Sequence, residues 1–231
     1  MKKFNPPSFG PKILIFDIES SNLKGDFGVC LCVGFKWYGQ KQVHIISISD
    51  YRAWLSDPSN DKGVVRDFAK VFEQAEIVVG YYSKGFDVKF LNARLMTYGF
   101  NCLPPVPHVD LYFAAKRSFA LSRKSMANVG YHLRVPDKKT PLEGREWVKA
   151  STGNLNALKG VIRHCKADII VTEKLYEKMR PLIRQHPPVT KDEACDTCGH
   201  TNFTKPVIYL ANTKKNKYRM RCKVCNSWIV R

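Results

Sequence analysis

The sequence lacks every segment that would place it in a membrane. No apolar run approaches the ~20 residues of a membrane-spanning helix, and no apolar stretch follows the basic N-terminal residues to make a signal peptide. We therefore expect a soluble, cytoplasmic protein without a membrane partner. The chain also lacks internal repeats and low-complexity tracts, and its 44% hydrophobic and 25% charged residues are typical of a globular protein.

Three common catalytic and nucleotide-binding motifs are missing as well. The sequence has no Gly-x-x-x-x-Gly-Lys loop to cradle phosphates, no glycine-rich dinucleotide fingerprint after a strand, and no serine nucleophile elbow. These absences argue against P-loop nucleotide hydrolases, dinucleotide-dependent enzymes and serine hydrolases.

Acidic residues are few. The chain has 20 Asp and Glu against 38 Lys and Arg, a formal net charge of +18. Lys and Arg side chains that neutralise phosphates release condensed counterions, so this excess favours a nucleic-acid partner. The alternative is that the charge serves solubility alone.

Hydrophobic patterning predicts a mixed α/β fold. Strands are expected at 12–19, at 28–37 and 42–48 as a hairpin, at 76–80 and around Val109. Helices are expected at 64–75, 88–98, 111–119, 125–133 and 155–179, and 138–151 is ambiguous. Pro181 is expected to end the last helix by disfavouring helical geometry at Arg180. We predict a mixed sheet flanked by helices in residues 1–180, a proline-containing linker at 181–190 and a small module at 191–231.

Eight cysteines divide into two groups. Cys-x2-Cys, a gap of 23 residues and Cys-x2-Cys match a tetrahedral structural zinc site, formed by Cys195, Cys198, Cys222 and Cys225. With strand-like segments between the pairs, this module resembles a zinc ribbon that depends on one Zn²⁺ for its fold. The other four, Cys30, Cys32, Cys102 and Cys165, are expected to be inert core thiols.

The predicted ribbon is basic. Residues 191–231 contain nine Lys or Arg and three acids. A strand of nucleic acid could bind there through charge and base stacking, with Lys214, Lys215, Lys217 and Arg219 as the candidate contacts. A solvated basic turn, or a protein partner such as a replication protein, fits the same residues.

Five residues in three segments are candidates for catalysis. Asp17 and Glu19 are separated by one residue on a buried strand, so both point to the same face. They fit either a metal site or a strand end that emerges into solvent. Asp87 follows a strand and starts a helix, where an N-cap is the alternative. His164 and Asp168 have the i, i+4 spacing of one helix face, which also suits a structural salt bridge. Asp110 is predicted to be a helix cap, with a further acid of the site as the alternative.

Taken in order, these motifs resemble the DEDD superfamily of 3′→5′ exonucleases, which have an RNase H-like fold. Ile15-Phe-Asp-Ile-Glu19 resembles the first motif, 80–91 the second and 164–176 the third, as found in relatives of the proofreading domain of family B DNA polymerases. The likeness covers about residues 12–180. The second motif usually has an asparagine where this chain has Tyr82 and Ser83, and His164 occupies the position of a tyrosine found in part of the superfamily.

The resemblance implies phosphodiester hydrolysis with two Mg²⁺ or Mn²⁺ ions. Asp17 would bridge both ions, Glu19 and Asp168 would complete one, and Asp87 would hold the other. His164 would orient or deprotonate the attacking water. We therefore expect an exonuclease that favours single-stranded DNA over RNA. The alternatives are an RNase H-like endonuclease on structured DNA or RNA, and a non-catalytic nucleic-acid-binding replisome adaptor.

Overall fold

The computed structural model of the 231-residue chain describes residues 4–7, 11–136, 142–183, 186–187, 194–195, 200–210 and 217–230. No helix among these residues is both long enough and apolar enough to cross a membrane. Within them lie two sheets, one in the N-terminal part of the chain and one near its C-terminus.

The larger sheet has five strands in the order β3-β2-β1-β4-β5. The first three strands along the chain are antiparallel, whereas β4 and β5 run parallel to β1. The mixed sheet predicted from the sequence is therefore confirmed. The strand bounds are β1 Ile13–Ser20, β2 Cys30–Trp37, β3 His44–Ser47, β4 Ile77–Gly80 and β5 His108–Asp110.

Helices cover both faces of this sheet. Their bounds are α1 Lys62–Phe72, α2 Asp87–Thr97, α3 Leu111–Ser118, α4 Met126–His132, α5 Gly144–Ser151 and α6 Leu155–Met179. β1 is the centre of the packing because its alternate side chains enter two different cores. Leu14, Phe16 and Ile18 pack into one hydrophobic cluster, and Ile13 and Ile15 pack into the other. A strand buried on both faces is what its continuous apolar pattern predicts.

Four details differ from the sequence-based expectations. The ambiguous segment contains α5, while residues 137–141 lie outside the described part. Helix α6 does end at Met179, but the expected reason is wrong: Arg180 keeps helical dihedrals (φ −45°, ψ −48°) and begins a 3₁₀ turn at Arg180–Leu182. The C-terminal module has a third strand, at Trp228–Val230, that the sequence did not predict. Cys102 is exposed, so it is not a core thiol, whereas Cys30, Cys32 and Cys165 are buried.

The C-terminal sheet contains three antiparallel strands: β6 Val207–Leu210, β7 Lys217–Arg221 and β8 Trp228–Val230. Beside it, the thiols of Cys195, Cys222 and Cys225 lie within 4.8 Å of one another. The fourth predicted ligand, Cys198, lies outside the described residues. The Ser227 hydroxyl donates to the Arg180 carbonyl (3.5 Å), which connects the small sheet to the end of α6.

A buried ion pair holds α2 against the sheet. Arg94 on α2 donates to the fully buried Asp61 carboxylate from Nη2 at 2.7 Å and from Nε at 2.9 Å. The same carboxylate accepts the Tyr98 hydroxyl (2.7 Å) and the Cys30 backbone N–H (2.7 Å). Asp61 therefore links the start of β2 to α2, whose first residue is the candidate catalytic Asp87.

We predict that Arg94→Met lowers the free energy of unfolding by about 3–5 kcal/mol, because it leaves the Asp61 charge buried without its cation. Arg145→Met is the matched control. The Arg145 ion pair with Glu143 is exposed, and such pairs contribute about 0–1 kcal/mol. Urea unfolding of the two variants and the parent measures both effects, and equal losses in the two variants would contradict the structural role of Asp61.

Candidate active site

The site forms where β1 passes β2 and α6. Asp17 and Glu19 project to one side of β1, and Glu19 is 8% exposed. Asp17 lies opposite Gly34 in the antiparallel register of β1 and β2. A Cβ atom at Gly34 would come within 2.7 Å of the Cys165 thiol of α6, so the glycine allows this helix to approach the sheet beside Asp17. This close approach brings the polar face of α6 to the two carboxylates of β1.

Asp87 joins the site from the start of α2. Its carboxylate accepts the Ile18 backbone N–H at 3.1 Å, between the two acids of β1, and the residue is 3% exposed. The helix-cap alternative for Asp87 is not supported, since Phe86 holds the cap position and no side chain caps this helix. Asp110, in contrast, is the predicted helix cap: it accepts the N–H groups of Tyr112 and Phe113 at the start of α3.

His164 and Asp168 enter from α6. His164 Nε2 lies 3.6 Å from Asp168 Oδ2, and together with Glu19 the two residues offer ligand atoms within 4.8 Å of one another. The structure therefore brings Asp17, Glu19, Asp87, His164 and Asp168 to one place, as the order of the motifs predicts. The predicted ribbon contacts are not tested in the same way, because Lys214 and Lys215 lie outside the described residues, as does the side chain of Lys217.

Crowding of acids perturbs their protonation. Burial, followed by the charges of Asp87, Glu19 and Asp168, raises the pKa of Asp17 well above its ordinary value. Burial raises the pKa of Asp87 to about 7, against the lowering effect of its backbone hydrogen bonds. Such elevation is what neighbouring carboxylates show when no cation compensates them. The site is therefore built to favour either protons or metal cations.

The donor set fits hard divalent cations. Four carboxylates converge, and Mg²⁺ and Mn²⁺ prefer oxygen ligands. Asp17, Glu19 and Cys165 form one group of ligand atoms within 4.8 Å, and Glu19, His164 and Asp168 form another. Both groups contain Glu19, so its carboxylate lies between them.

Two contributors were not predicted from the sequence. The Trp147 indole N–H donates to Glu19 Oε2 at 2.7 Å, and its ring lies edge-on to His164 with ring centres 5.6 Å apart. Trp147 is in α5, within the ambiguous segment, and no spacing connects it to the acidic motifs. Cys165 was expected to be an inert core thiol. It is buried, but its thiol donates to the Asp17 carbonyl at 3.8 Å and lies 4.0 Å from the carboxylate.

Comparisons with known proteins agree with this geometry. A family model described as the RNase H superfamily matches residues 14–180. The chain belongs to this superfamily. A solved family B DNA polymerase from the hyperthermophilic archaeon Pyrobaculum calidifontis superposes with a TM-score of 0.61 at 19% identity. The alignment covers 78% of this chain and 26% of the polymerase chain, so this chain matches about a quarter of that protein. A search of the curated proteins finds no matching sequence.

These findings confirm the RNase H-like fold and the structural likeness to a family B polymerase that were expected from the three motifs. Membership of the superfamily supports a nuclease-type function. At 19% sequence identity, the polymerase comparison supports likeness of fold alone.

We predict that the metal-free protein loses stability as the pH rises from about 4 to about 7. The folded-state pKa of Asp87 lies above its ordinary value of 3.8, so the folded state binds the proton more tightly and is favoured at low pH. The stabilisation disappears as the pH rises through the folded-state pKa. Asp87→Asn keeps an oxygen acceptor for the Ile18 N–H. It should remove the contribution of Asp87 to the pH dependence of the free energy of unfolding, which is about 1.4 kcal/mol per unit of pKa elevation.

Urea unfolding across this pH range, in buffer free of Mg²⁺ and Mn²⁺ but without a chelator that would remove zinc, measures the slope. Asp26→Asn, at an exposed position, is the control and should run parallel to the parent. A parent curve parallel to that of Asp87→Asn would contradict the assignment.

We also predict that Trp147→Phe weakens Mn²⁺ binding by about 10–100-fold, the effect that loss of a hydrogen bond to a metal ligand typically has. Trp54→Phe is the control, because the Trp54 indole N–H has no hydrogen-bond partner among the described residues. Electron paramagnetic resonance of free Mn²⁺ during titration gives both affinities. Unchanged affinity in the Trp147→Phe protein would show that this indole does not position a ligand.

Proposed function

We propose that the protein is a metal-dependent 3′→5′ exonuclease of the DEDD type that favours single-stranded DNA. The observation that carries this proposal is the convergence of four carboxylates and one imidazole on a site built from β1, α2 and α6. Asp17 and Glu19 belong to one group of neighbouring ligand atoms, and Glu19, His164 and Asp168 belong to another. Asp87 accepts the Ile18 N–H between the two acids of β1.

The carboxylates are the proposed ligands of two Mg²⁺ or Mn²⁺ ions. Asp17 would contact both ions, Glu19 and Asp168 would complete one, and Asp87 would hold the other. When bound, two such ions stabilise the negative charge on the attacking and leaving oxygens of a phosphodiester. Trp147 fixes the rotamer of Glu19 through its N–H, and the Ile18 N–H fixes Asp87.

His164 is the proposed proton acceptor. It enters the site from α6 beside Asp168, where an imidazole can act as a general base. Its Nδ1 is buried and has no hydrogen-bond partner in the described part of the chain. Nε2 therefore faces Asp168, and we propose that this nitrogen orients the water molecule.

The C-terminal module is proposed to hold one structural Zn²⁺ through Cys195, Cys198, Cys222 and Cys225. The proximity of three of these thiols supports the proposal. A four-thiolate site has no open coordination position, so the metal would stabilise the module rather than react. We propose that the module helps to bind substrate, with Lys214, Lys215, Lys217 and Arg219 as contacts, or that it binds a replication-protein partner.

We predict that Asp17→Asn abolishes metal-dependent cleavage, on the order of 10³-fold or more, because it removes the proposed shared ligand of both ions. The variant is expected to fold, since the substitution keeps the side-chain size and removes a repelling charge. Asp57→Asn, at an exposed position, is the matched control and should retain full activity. Cleavage of labelled oligonucleotides in Mg²⁺ or Mn²⁺ is the measurement, and circular dichroism checks the fold.

The products separate the proposal from its alternatives. A 5′-labelled single strand should shorten to a progressive ladder, and a circular single strand should resist cleavage. Discrete internal products, or cleavage of the circle, would indicate an endonuclease. Tight, salt-sensitive binding without cleavage in either metal would indicate a non-catalytic adaptor, and Asp17→Asn with full metal-dependent activity would overturn the site assignment. DNA and RNA versions of each substrate establish the preference.

A further inference from the structure

A groove runs along α3. It consists of two adjoining depressions of about 390 and 710 Å³, which share Ala114, Arg117 and Ile183 in their walls. The smaller one is lined by Lys84, His108 and Asp110, and the larger one continues to Ser227 and Trp228 of the C-terminal sheet. The two parts of the protein therefore share one continuous concave surface.

The inner end of the groove lies beside the acidic site. Asp110 stands in its wall and lies opposite Gly80, the last residue of β4, from which the loop to Asp87 starts. Lys84, at the same end, comes three residues before Asp87 in the loop that enters α2. The Asp110 carboxylate also accepts the backbone N–H groups of Tyr82 and Lys84, at 3.1 and 2.9 Å. This loop is therefore fixed where the groove meets the site.

Aromatic rings surround this inner end. The Tyr82 ring is 45% exposed and lies 4.8 Å from Tyr112 and 6.0 Å from Phe113, between ring centres. Tyr82 has a left-handed backbone (φ 64°), which is costly for a bulky residue. Gly85 accommodates the ring, because a Cβ atom there would lie 2.5 Å from it. The local backbone thus holds an aromatic face at the surface.

The outer end of the groove also presents an exposed aromatic ring. Trp228 on β8 is 57% exposed, and the Arg219 guanidinium lies 5.3 Å from its ring centre. Lys84 at the inner end is exposed, as are Lys116 and Arg117 between the two ends. Asp110 is the only acid among the described lining residues, and four backbone N–H groups already hydrogen-bond to it.

We propose that this groove binds one strand of nucleic acid that extends from the acidic site to Trp228. Lys84, Lys116 and Arg117 contact its phosphates, and Tyr82 and Trp228 stack on its bases, the combination that single-strand-binding surfaces use. The proposal rests on the proposed function in one respect: the acidic site holds the end of the same strand.

The distance from the acidic site to Ser227 follows from the geometry of α6. Asp168 at the site and Arg180 beside Ser227 are twelve residues apart on one continuous helix and its terminal turn, so about 18 Å separates them along the helix axis. Stacked nucleotides rise ~3.4 Å each. A strand therefore needs about five stacked nucleotides to reach Trp228, and shorter strands contact the inner end alone.

The test measures binding without cleavage. Fluorescence anisotropy of 5′-labelled oligothymidylates of 4 and 16 nucleotides is recorded with Asp17→Asn as the parent, in buffer without a chelator so that zinc is retained. Trp228→Ala should bind the 16-mer about fivefold or more weakly, as loss of one stacking contact predicts, and should bind the 4-mer unchanged. Arg117→Ala should weaken 16-mer binding and reduce the slope of log K against log salt by about 0.7.

Matched controls lie at the opposite edge of the sheet. Arg52→Ala removes an exposed arginine, and Leu55→Ala removes an exposed apolar side chain, in the 3₁₀ turn that follows β3. Both should bind like the parent. Zinc content checks that Trp228→Ala keeps the module folded, and Arg117→Ala tests the groove from outside that module.

Affinities for the 16-mer that match the controls in both groove variants would overturn the proposal, as would equal losses by Trp228→Ala on the 4-mer and the 16-mer. Oligouridylates of the same lengths show whether the groove prefers DNA or RNA. Because no cleavage is involved, the groove can be confirmed even if the wild-type protein proves to be inactive, and cleavage by wild type can be confirmed even if these variants bind normally.

Discussion

The mutual repulsion of four closely spaced carboxylates is the constraint on which the rest of the structure depends. Asp17, Glu19, Asp87 and Asp168 lie on three different elements, and bringing them together costs free energy unless a proton or a cation compensates their charges. Burial, followed by the charges of Asp87, Glu19 and Asp168, accordingly raises the pKa of Asp17 well above its ordinary value. Hydrophobic packing and hydrogen bonds elsewhere must therefore hold the elements in place against the repulsion.

Each element has its own attachment. The Asp61–Arg94 pair fixes α2 and thus Asp87, at a point where the Asp61 carboxylate also accepts the Cys30 N–H. An ion pair between Lys36 of β2 and Glu173 fixes α6, five residues after Asp168. Gly34 allows α6 to pack directly against the sheet. These contacts hold the three elements together where the acids meet, which is the condition under which bound cations could be held in fixed positions.

Local patterns predicted much of this arrangement. The apolar run of β1, the long periodicity of α6 and the hairpin of β2 and β3 are short-range signals, so the elements and their order follow from the sequence. The catalytic candidates were found because Asp17, Asp87 and Asp168 occur in ordered motifs, each interpretable by its position on a strand or a helix. A motif fixes the residue and its element, and the fold then determines which motifs meet.

Contacts between distant segments were not predictable in this way. Trp147 reaches Glu19 across 128 positions of sequence, and α5 has no motif that would point to such a partner. Arg94 pairs with Asp61 across 33 positions of sequence, and no motif connects the two residues. Similarly, Arg180 was expected at a helix end in front of a linker, yet it is buried with its guanidinium 4.7 Å from the Tyr38 ring centre and 4.8 Å from that of Tyr176.

This last contact explains how the two parts of the protein are related. Arg180 is buried between two rings at the C-terminal end of α6, and its carbonyl accepts the Ser227 hydroxyl of the small sheet. The Tyr176 hydroxyl, one turn earlier, hydrogen-bonds to the buried His186 at 2.7 Å. The chain leaving α6 is therefore anchored to the helix that carries His164 and Asp168. Because one rigid helix contacts both the acidic site and the small sheet, the distance between them is set by helix geometry, and a strand bound to both would meet two surfaces at a fixed spacing.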